Sequence, residues 1–378
     1  MYTVADFGRM LGDRVRVDAH RAALARAVKP GAVVVDLGAG TGFFALDACR
    51  LGARKVYAIE TNDAITLLPP LARKNGFADR IEILTRPSTE VTLPERADVV
   101  IADLRGVMPL FDANVSVIAD ARRRFLAPGG VLVPERDVLY VAAVESEALY
   151  DAAVGGWAGH GLDLSEGRTL SVNAYYDDRR HRIAPSQVVT APAAWAEVRY
   201  GEDPPSLFEG SVAVPVLRDG TAHGLSVWFE AHLLADVTFT TAPGSDRVYG
   251  RGFFPLEEPM ALREGDVLAL HVAARRGGGD HVWAWSTTQL RQGAKVASFR
   301  QTSFLGAVTS ARALAKEALD YRPAGGPAAR ATAWMLAHMD GEMTVEAIAR
   351  GAHAAHPGGF ASYEEALEEA RRLSRTYG

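Results

Sequence analysis

The sequence predicts an α/β chain: a doubly wound parallel sheet, then a β-barrel, then a small helical domain. Three observations carry this. Short apolar, β-branched runs alternate with helical patterns over residues 33–136. Alternating, strand-rich runs follow over residues 137–305. From Gly306 the pattern turns helical. The predicted boundaries are therefore 1–136, 137–305 and 306–378.

In order, "AVVVDLG" reads as a strand ending in glycine and "GFFALDACRLG" as the next helix. "KVYAIE" is a second strand, and "DAITLLPPLARKNG" is helix-like but interrupted by Pro69 and Pro70. "IEILTR" and "ADVVIADL" are strands, "VIADARRRFLAPGG" is a helix closed by a Pro-Gly-Gly turn, and "VLVPER" follows. Apolar strands separated by helices imply a parallel sheet covered on both faces. Beyond Asp137, "DVLYVAAVES", "GLSVWFEAHLLADVTFTT", "DVLALHVAAR" and "HVWAWSTTQL" carry strand patterns, and residues 277–280 read as a hairpin turn. Trp283 and Trp285 share one face of a strand, as barrel core or pocket wall. "RPAGGPAARA" reads as a linker before two amphipathic helices, "TVEAIARGAHAAH" and "YEEALEEARRLSRTYG".

Composition bounds the function. The 378 residues hold 41 Lys and Arg against 46 Asp and Glu, a net charge of −5, which argues against nucleic acid as the partner. One cysteine, Cys49, excludes a disulfide framework and a Cys-rich zinc site, and its apolar surroundings predict a buried thiol. His353 and His356 lack a third ligand, so no metal is expected. No apolar run is long enough to span a bilayer and "MYTVADFGRM" is no signal peptide, so no membrane partner and a cytoplasmic location are expected.

The chemistry concentrates in "VVVDLGAGTG", with Gly38, Gly40 and Gly42 after a strand. Glycines let a ligand approach the backbone and aim a helix N-terminus at it. The spacing is G-x-G-x-G, not the dinucleotide G-x-G-x-x-G, and Asp36 precedes it. A carboxylate there suits a cationic ligand better than a pyrophosphate. S-adenosylmethionine, with its sulfonium and ammonium, is the cofactor this predicts. Glu60 ends the second strand at the switch-point crevice, where its two oxygens can accept both ribose hydroxyls.

"VVVDLGAGTG", "ARKVYAIE", "ADVVIADLRGVMPLFD" and "RRRFLAPGGVLVPERDVLYVAAVE" resemble the Rossmann-like methyltransferase domain of protein arginine methyltransferases. The resemblance is strong over residues 1–145 and looser to about Phe304. It implies Asp36 and Gly38 beside the methionine moiety, Glu60 on the ribose and Arg16 on the cofactor carboxylate. Thr89 falls where the family places an acid on the adenine amino group; Ser88 or a backbone group would substitute. The family's two substrate-gripping glutamates fall on Asp103 and Asp112, nine residues apart. Each is one methylene shorter, withdrawing the carboxylate by about 1.5 Å. Arg105 adds a cation to that loop, which would compete with or repel a guanidinium. The family's Thr-His-Trp loop reads "SDRVYGRGFF", without histidine and with Tyr249 near the tryptophan position.

The expected activity is therefore S-adenosylmethionine-dependent N-methylation of an amine on a peptide or protein. Asp103 or Asp112 would orient the amine, accept its proton or pass it to water. Asp112 also reads as a helix N-cap, and Asp103 as a strand-end turn cap. The alternatives are an arginine methyltransferase with an altered fork and a cofactor-binding partner without turnover. "NAYYDDRRHRIAPSQVV", near 165–190, occupies the family's dimer-arm position and implies a homodimer with the two tyrosines buried against the partner. The last 48 residues, from Ala331, resemble the helical half of PqqD-like peptide-recognition domains, with Trp334, Leu336, Met339, Val345, Ile348, Phe360, Leu367 and Leu373 as core. That resemblance implies a ribosomally made peptide, of the daptide type, dimethylated on a terminal amine.

Overall fold

The computed structural model describes residues 3–277, 280–308 and 310–378. The predicted turn at 277–280 includes Gly278 and Gly279, which lie outside the described residues. The chain divides after Val308 into two compact units.

The first unit begins with helices α1 (Val4–Gly12) and α2 (Arg14–Ala27). They break at Asp13, whose side chain accepts the Arg16 N–H and so caps α2. Then follow β1 (Val33–Leu37), α3 (Phe43–Arg50), β2 (Lys55–Ile59), α4 (Leu68–Lys74), β3 (Ile81–Leu84), β4 (Ala97–Ala102), α5 (Asn114–Phe125) and β5 (Leu126–Val133). The five strands form a parallel sheet in the order β3-β2-β1-β4-β5. The chain reverses between β1 and β4, and ligands bind at the carboxyl ends of strands at such a switch point. All five residues of β1 are buried, as both-face coverage requires. Two readings are corrected. Pro69 and Pro70 do not interrupt a helix; they start α4, where a missing N–H costs nothing. Pro128, Gly129 and Gly130 do not end a helix in a turn but lie within β5, absorbed by a register shift against β4.

The same unit continues with β6 (Arg136–Val144), α6 (Glu147–Val154), α7 (Ser165–Val172), β7 (Tyr176–Asp177), β8 (Ala193–Arg199), β9 (Leu207–Pro215), β10 (Gly220–Leu234), β11 (Val237–Thr240), β12 (Gly252–Leu262), β13 (Val267–Gly277), β14 (Asp280–Arg291) and β15 (Ala294–Thr302). One sheet runs β7-β12-β10-β6-β8, with β11 on β10; the other runs β15-β14-β13-β9. Together they make the barrel-like half. Along β14, His281, Trp283, Trp285, Thr287 and Gln289 point inward in strict alternation. Trp283 and Trp285 are core: both are buried and pack against Phe254 of β12, joining the two sheets. The tyrosines of the arm are spent within their own chain. Tyr175 stacks on Phe254, and the Tyr176 hydroxyl donates to Ser171 O. Asp178 is fully buried and pairs with Arg251. The exposed apolar residues of this region are instead Trp157 and Leu162.

The second unit holds α8 (Ala311–Glu317), α9 (Pro327–Ala337), α10 (Val345–Ala355) and α11 (Tyr363–Tyr377). Met335, Ile348, Ala349, Ala352, Ala366, Ala370 and Leu373 form its core, edged by Trp334, Met339, Val345, Phe360 and Leu367. Leu336 is not core: it is exposed, one helical step round from the inward Met335 and Ala331.

Candidate active site

The turn after β1 is bare backbone held in left-handed conformations, with φ of 72°, 55° and 81° at Gly38, Gly40 and Gly42. A Cβ on Gly38 would sit 2.2 Å from Leu104, and one on Gly40 2.6 Å from the Phe7 ring. Leu104 and the Phe7 ring would have to shift for any side chain here, and the left-handed φ strains any other residue, so glycine is favoured at both positions. Glu60 faces this turn: Oε2 accepts the Gly40 N–H and Oε1 the Asn62 N–H, each at 2.7 Å. A carboxylate oxygen has two lone pairs, so each keeps capacity for a hydroxyl donor.

Asp36 is buried to 2% exposure, and its Oδ2 has no hydrogen-bond partner in the protein. Burial pushes its carboxyl up to about 7, against the Ala45 N–H that it accepts, with Glu60 and Asp103 adding to the rise. An orphaned buried carboxyl oxygen beside a glycine turn fits a cationic ligand. The cradle thus fits S-adenosylmethionine: Asp36 for its positive charge, Glu60 for hydroxyls, the glycines for close approach. Of the two adenine-side residues, Ser88 is buried and Thr89 is exposed.

Asp103, at the end of β4, is the centre of a buried ionic cluster. Arg16 Nε donates to its Oδ2 at 2.7 Å and Arg105 to its Oδ1 at 3.0 Å. The Tyr249 hydroxyl lies 2.7 Å from both oxygens. Burial opposes its charge, but Arg16, His20, Arg105 and Tyr249 together hold the carboxyl far below the carboxylate range. Arg16 also donates to the Tyr249 hydroxyl and to Met10 O. Its guanidinium is therefore committed to Asp103, and the cofactor carboxylate expected there would share it. Arg105 forks onto Asp137 with two 2.7 Å bonds, and Asp137 accepts the Tyr200 hydroxyl at 2.7 Å. His20 is fully buried, its Nδ1 2.8 Å from Arg16 O and its Nε2 3.7 Å from Asp103 Oδ2. Burial pushes the imidazole down to about 4, despite Asp103.

The structure does not bring Asp112 into this cluster. Asp112 is exposed, at φ 52°, and its N–H donates to Asp280 Oδ1. The expected fork of Asp103 with Asp112 is thus absent: one is buried and ringed by cations, the other faces solvent, and they share no bonding partner among the described residues. Nor does Asp112 cap α5, whose N-cap is Ala113.

Sequence reasoning missed four members: His20, Asp13, Asp137 and Tyr200. Asp13 accepts Arg247 at 2.6 Å and the Val248 N–H at 3.0 Å, tying the start of α2 to the loop that carries Tyr249. Asp137 and Tyr200 neutralise Arg105. Only Asp13, an N-cap type before a helical pattern, leaves a local signal.

Comparisons with known proteins agree with this geometry. A family model described as the TRM5/TYW2 methyltransferase domain matches residues 13–123. The "Probable protein arginine N-methyltransferase 6" of Arabidopsis thaliana is 29% identical over 187 residues, covering 48% of this chain and 43% of that protein. The chain therefore spans less than half the length of that relative. "Protein arginine N-methyltransferase PRMT10" of Oryza sativa subsp. japonica is 28% identical over 307 residues, covering 72% of this chain and 81% of that protein. The solved structure "Trypanosoma brucei PRMT1 enzyme-prozyme heterotetrameric complex with AdoHcy" superposes with a TM-score of 0.70 at 23% identity, over 78% of this chain and 95% of that one. The chain is a class I S-adenosylmethionine-dependent methyltransferase built like the protein arginine methyltransferases.

Proposed function

We propose that this methyltransferase acts on an amine nitrogen of a peptide or protein and not on a guanidinium. The saturation of Asp103 carries the reading. A substrate guanidinium needs a carboxylate with a free, planar pair of acceptors. Asp103 has given its lone pairs to Arg16, Arg105 and Tyr249. Arg16 and Arg105 balance Asp103 and Asp137, so the cluster offers no net negative charge to an incoming cation. A neutral cluster does not hold an amine in its protonated form, and the free base is the form whose lone pair is nucleophilic.

When bound, S-adenosylmethionine supplies an electrophilic methyl group on a sulfonium. Asp36, Glu60 and the glycine turn would hold it, and it would supply that methyl to the amine lone pair, with the C–S electron pair staying on sulfur. The surplus proton on nitrogen then leaves to water or a carboxylate. Asp36 and Glu60 hold the cradle, and Arg16, fixed by Asp103 and Tyr249, sets the charge beside it. The substrate in this reading is a ribosomally made natural-product peptide with a terminal amine, dimethylated. The separate C-terminal unit, with its own core, supports a recruiting role for residues 309–378. The second reading, an arginine methyltransferase, is favoured by the names of the relatives.

Incubation with labelled cofactor, a peptide bearing a terminal amine and an arginine-rich peptide, followed by mass spectrometry, decides between them. The label is expected on the amine. A chain ending at Val308 should keep cofactor affinity and show a raised peptide KM. Comparable kcat/KM on arginine would overturn the reading. The chain is also proposed to pair with a second copy through the arm region. Light scattering should give twice the chain mass, and a single-chain mass unchanged on concentration would exclude it.

A further inference from the structure

The Tyr249 hydroxyl that meets Asp103 and Arg16 hangs from a loop, and that loop is tied on both sides. Residues 241–251 join β11 to β12 without regular secondary structure. On one side Asp13, the cap of α2, accepts Arg247 and the Val248 N–H. On the other stands Asp178, which follows β7 and is fully buried. Its Oδ1 accepts the Arg251 N–H at 2.9 Å, and its Oδ2 accepts the Arg251 guanidinium and the Ile183 N–H. The Asp178 N–H returns a bond to Arg251 O at 3.1 Å. The guanidinium, itself buried, then donates back into the loop, to Ala242 O at 2.9 Å and Ser245 O at 2.6 Å. Two more bonds repeat the tie: Arg182 donates to Arg247 O at 3.0 Å, and the Gly244 N–H to Ile183 O at 3.3 Å. Only Gly250 separates Tyr249 from Arg251; it has φ 81°, and a Cβ there would lie 2.8 Å from the Arg179 side chain.

We infer that Asp178 and Arg251 are positioning residues for the methionine end of the cofactor, acting through Tyr249. The Tyr249 hydroxyl lies 2.7 Å from both Asp103 oxygens and accepts Arg16 Nε–H at 2.9 Å. An irregular loop pays conformational entropy to hold one side chain in one place. The Asp178–Arg251 pair meets that cost before any ligand arrives, so less ordering is left for binding. Two desolvated ions do little for folding that an apolar pair could not do. What they add is direction. The planar guanidinium binds a carboxylate on one side and two loop carbonyls on the other, and a point charge cannot make all three bonds. With the pair broken, the Tyr249 hydroxyl is free to leave Asp103. That carboxylate then draws harder on Arg16, the guanidinium expected on the cofactor carboxylate. The inference concerns cofactor binding and holds whichever nucleophile is methylated.

The test is binding to the full chain, read by calorimetry with two ligands that share a nucleoside. S-adenosylhomocysteine carries the amino acid carboxylate, and 5′-methylthioadenosine lacks it. Asp178→Asn keeps the shape but removes the charge and turns an N–H toward the Arg251 and Ile183 donors. It should bind S-adenosylhomocysteine about tenfold more weakly, with less than about a twofold change for 5′-methylthioadenosine. Arg251→Lys keeps a cation beside Asp178 without the fork, and should show the same split at a smaller cost to folding. In a Tyr249→Phe background neither substitution should add a further loss, because the link they act through is already cut. Equal losses on the two ligands, or losses that add in full to that of Tyr249→Phe, would show that the pair serves the fold alone and overturn the inference. Unchanged S-adenosylhomocysteine affinity in Arg251→Lys would overturn it as well.

Discussion

Asp36→Asn should remove a loss of stability that the wild-type protein suffers between about pH 4 and pH 7. The Asp36 carboxyl sits at about 7 in the folded chain, because it is buried with an oxygen that nothing donates to. In the unfolded chain an aspartate ionises near ~3.9. Between these values the folded state holds a proton that the unfolded state has released. Stability therefore falls as pH rises through this window, by on the order of 4 kcal/mol in total. Asparagine does not titrate, so the variant should lack this slope. Cofactor affinity should move the other way. A cationic ligand favours the ionised carboxylate, so wild-type affinity should rise roughly tenfold from pH 6 to pH 8, while the variant binds weakly and without that rise. Denaturant melts and calorimetry with S-adenosylhomocysteine across this range check both halves. Equal pH slopes in the two proteins would show that Asp36 is already ionised in the empty site.

The cradle itself lies in one local stretch, which is why sequence patterns locate it. Asp36, the glycines and Glu60 lie within one strand–turn–helix–strand unit, and 3.6- and 2-residue periodicities locate such units. The same holds for the parallel sheet and for the inward alternation of β14. What escaped was long-range. Arg105 reads in sequence as an intruder in an acidic loop. Its meaning comes from Asp137 on β6, 32 residues on, and Tyr200, 63 residues beyond Asp137. Asp103 reads as a free acid until Tyr249, 146 residues away, and Arg16, 87 residues before it, close on it. Asp112 holds the right spacing, yet its backbone turns left-handed and its N–H goes to Asp280. Nine residues of spacing fix where two acids fall on a loop, but not which way each side chain leaves it.

The Arg105–Asp137 pair gives the largest stability prediction. Asp137 is fully buried and Arg105 nearly so; the guanidinium forks onto the carboxylate and packs over the Phe229 ring at 5.6 Å. The Tyr200 hydroxyl donates to the same carboxylate. Burial works against the Arg105 charge, but Asp137 more than offsets it and keeps the guanidinium well above its ordinary range. Asp137→Ala removes the forked partner of that charge, leaving only its single bond to Asp103, and leaves a buried hydroxyl without its acceptor. The expected cost is about 3–5 kcal/mol, measured by denaturant unfolding. The pair itself need not be stabilising, since two desolvated ions can be replaced by apolar groups of similar volume at little net cost. The triple variant Arg105→Met, Asp137→Leu, Tyr200→Phe should therefore recover most of the loss, a strong departure from additivity among contacting residues. It also removes one of the donors that saturate Asp103. If Arg105 is what excludes a guanidinium, the triple variant should gain activity on the arginine-rich peptide while keeping that on the amine. A cost below about 1 kcal/mol for Asp137→Ala would mean that water reaches the pair and that the cluster is not the sealed, neutral unit described above.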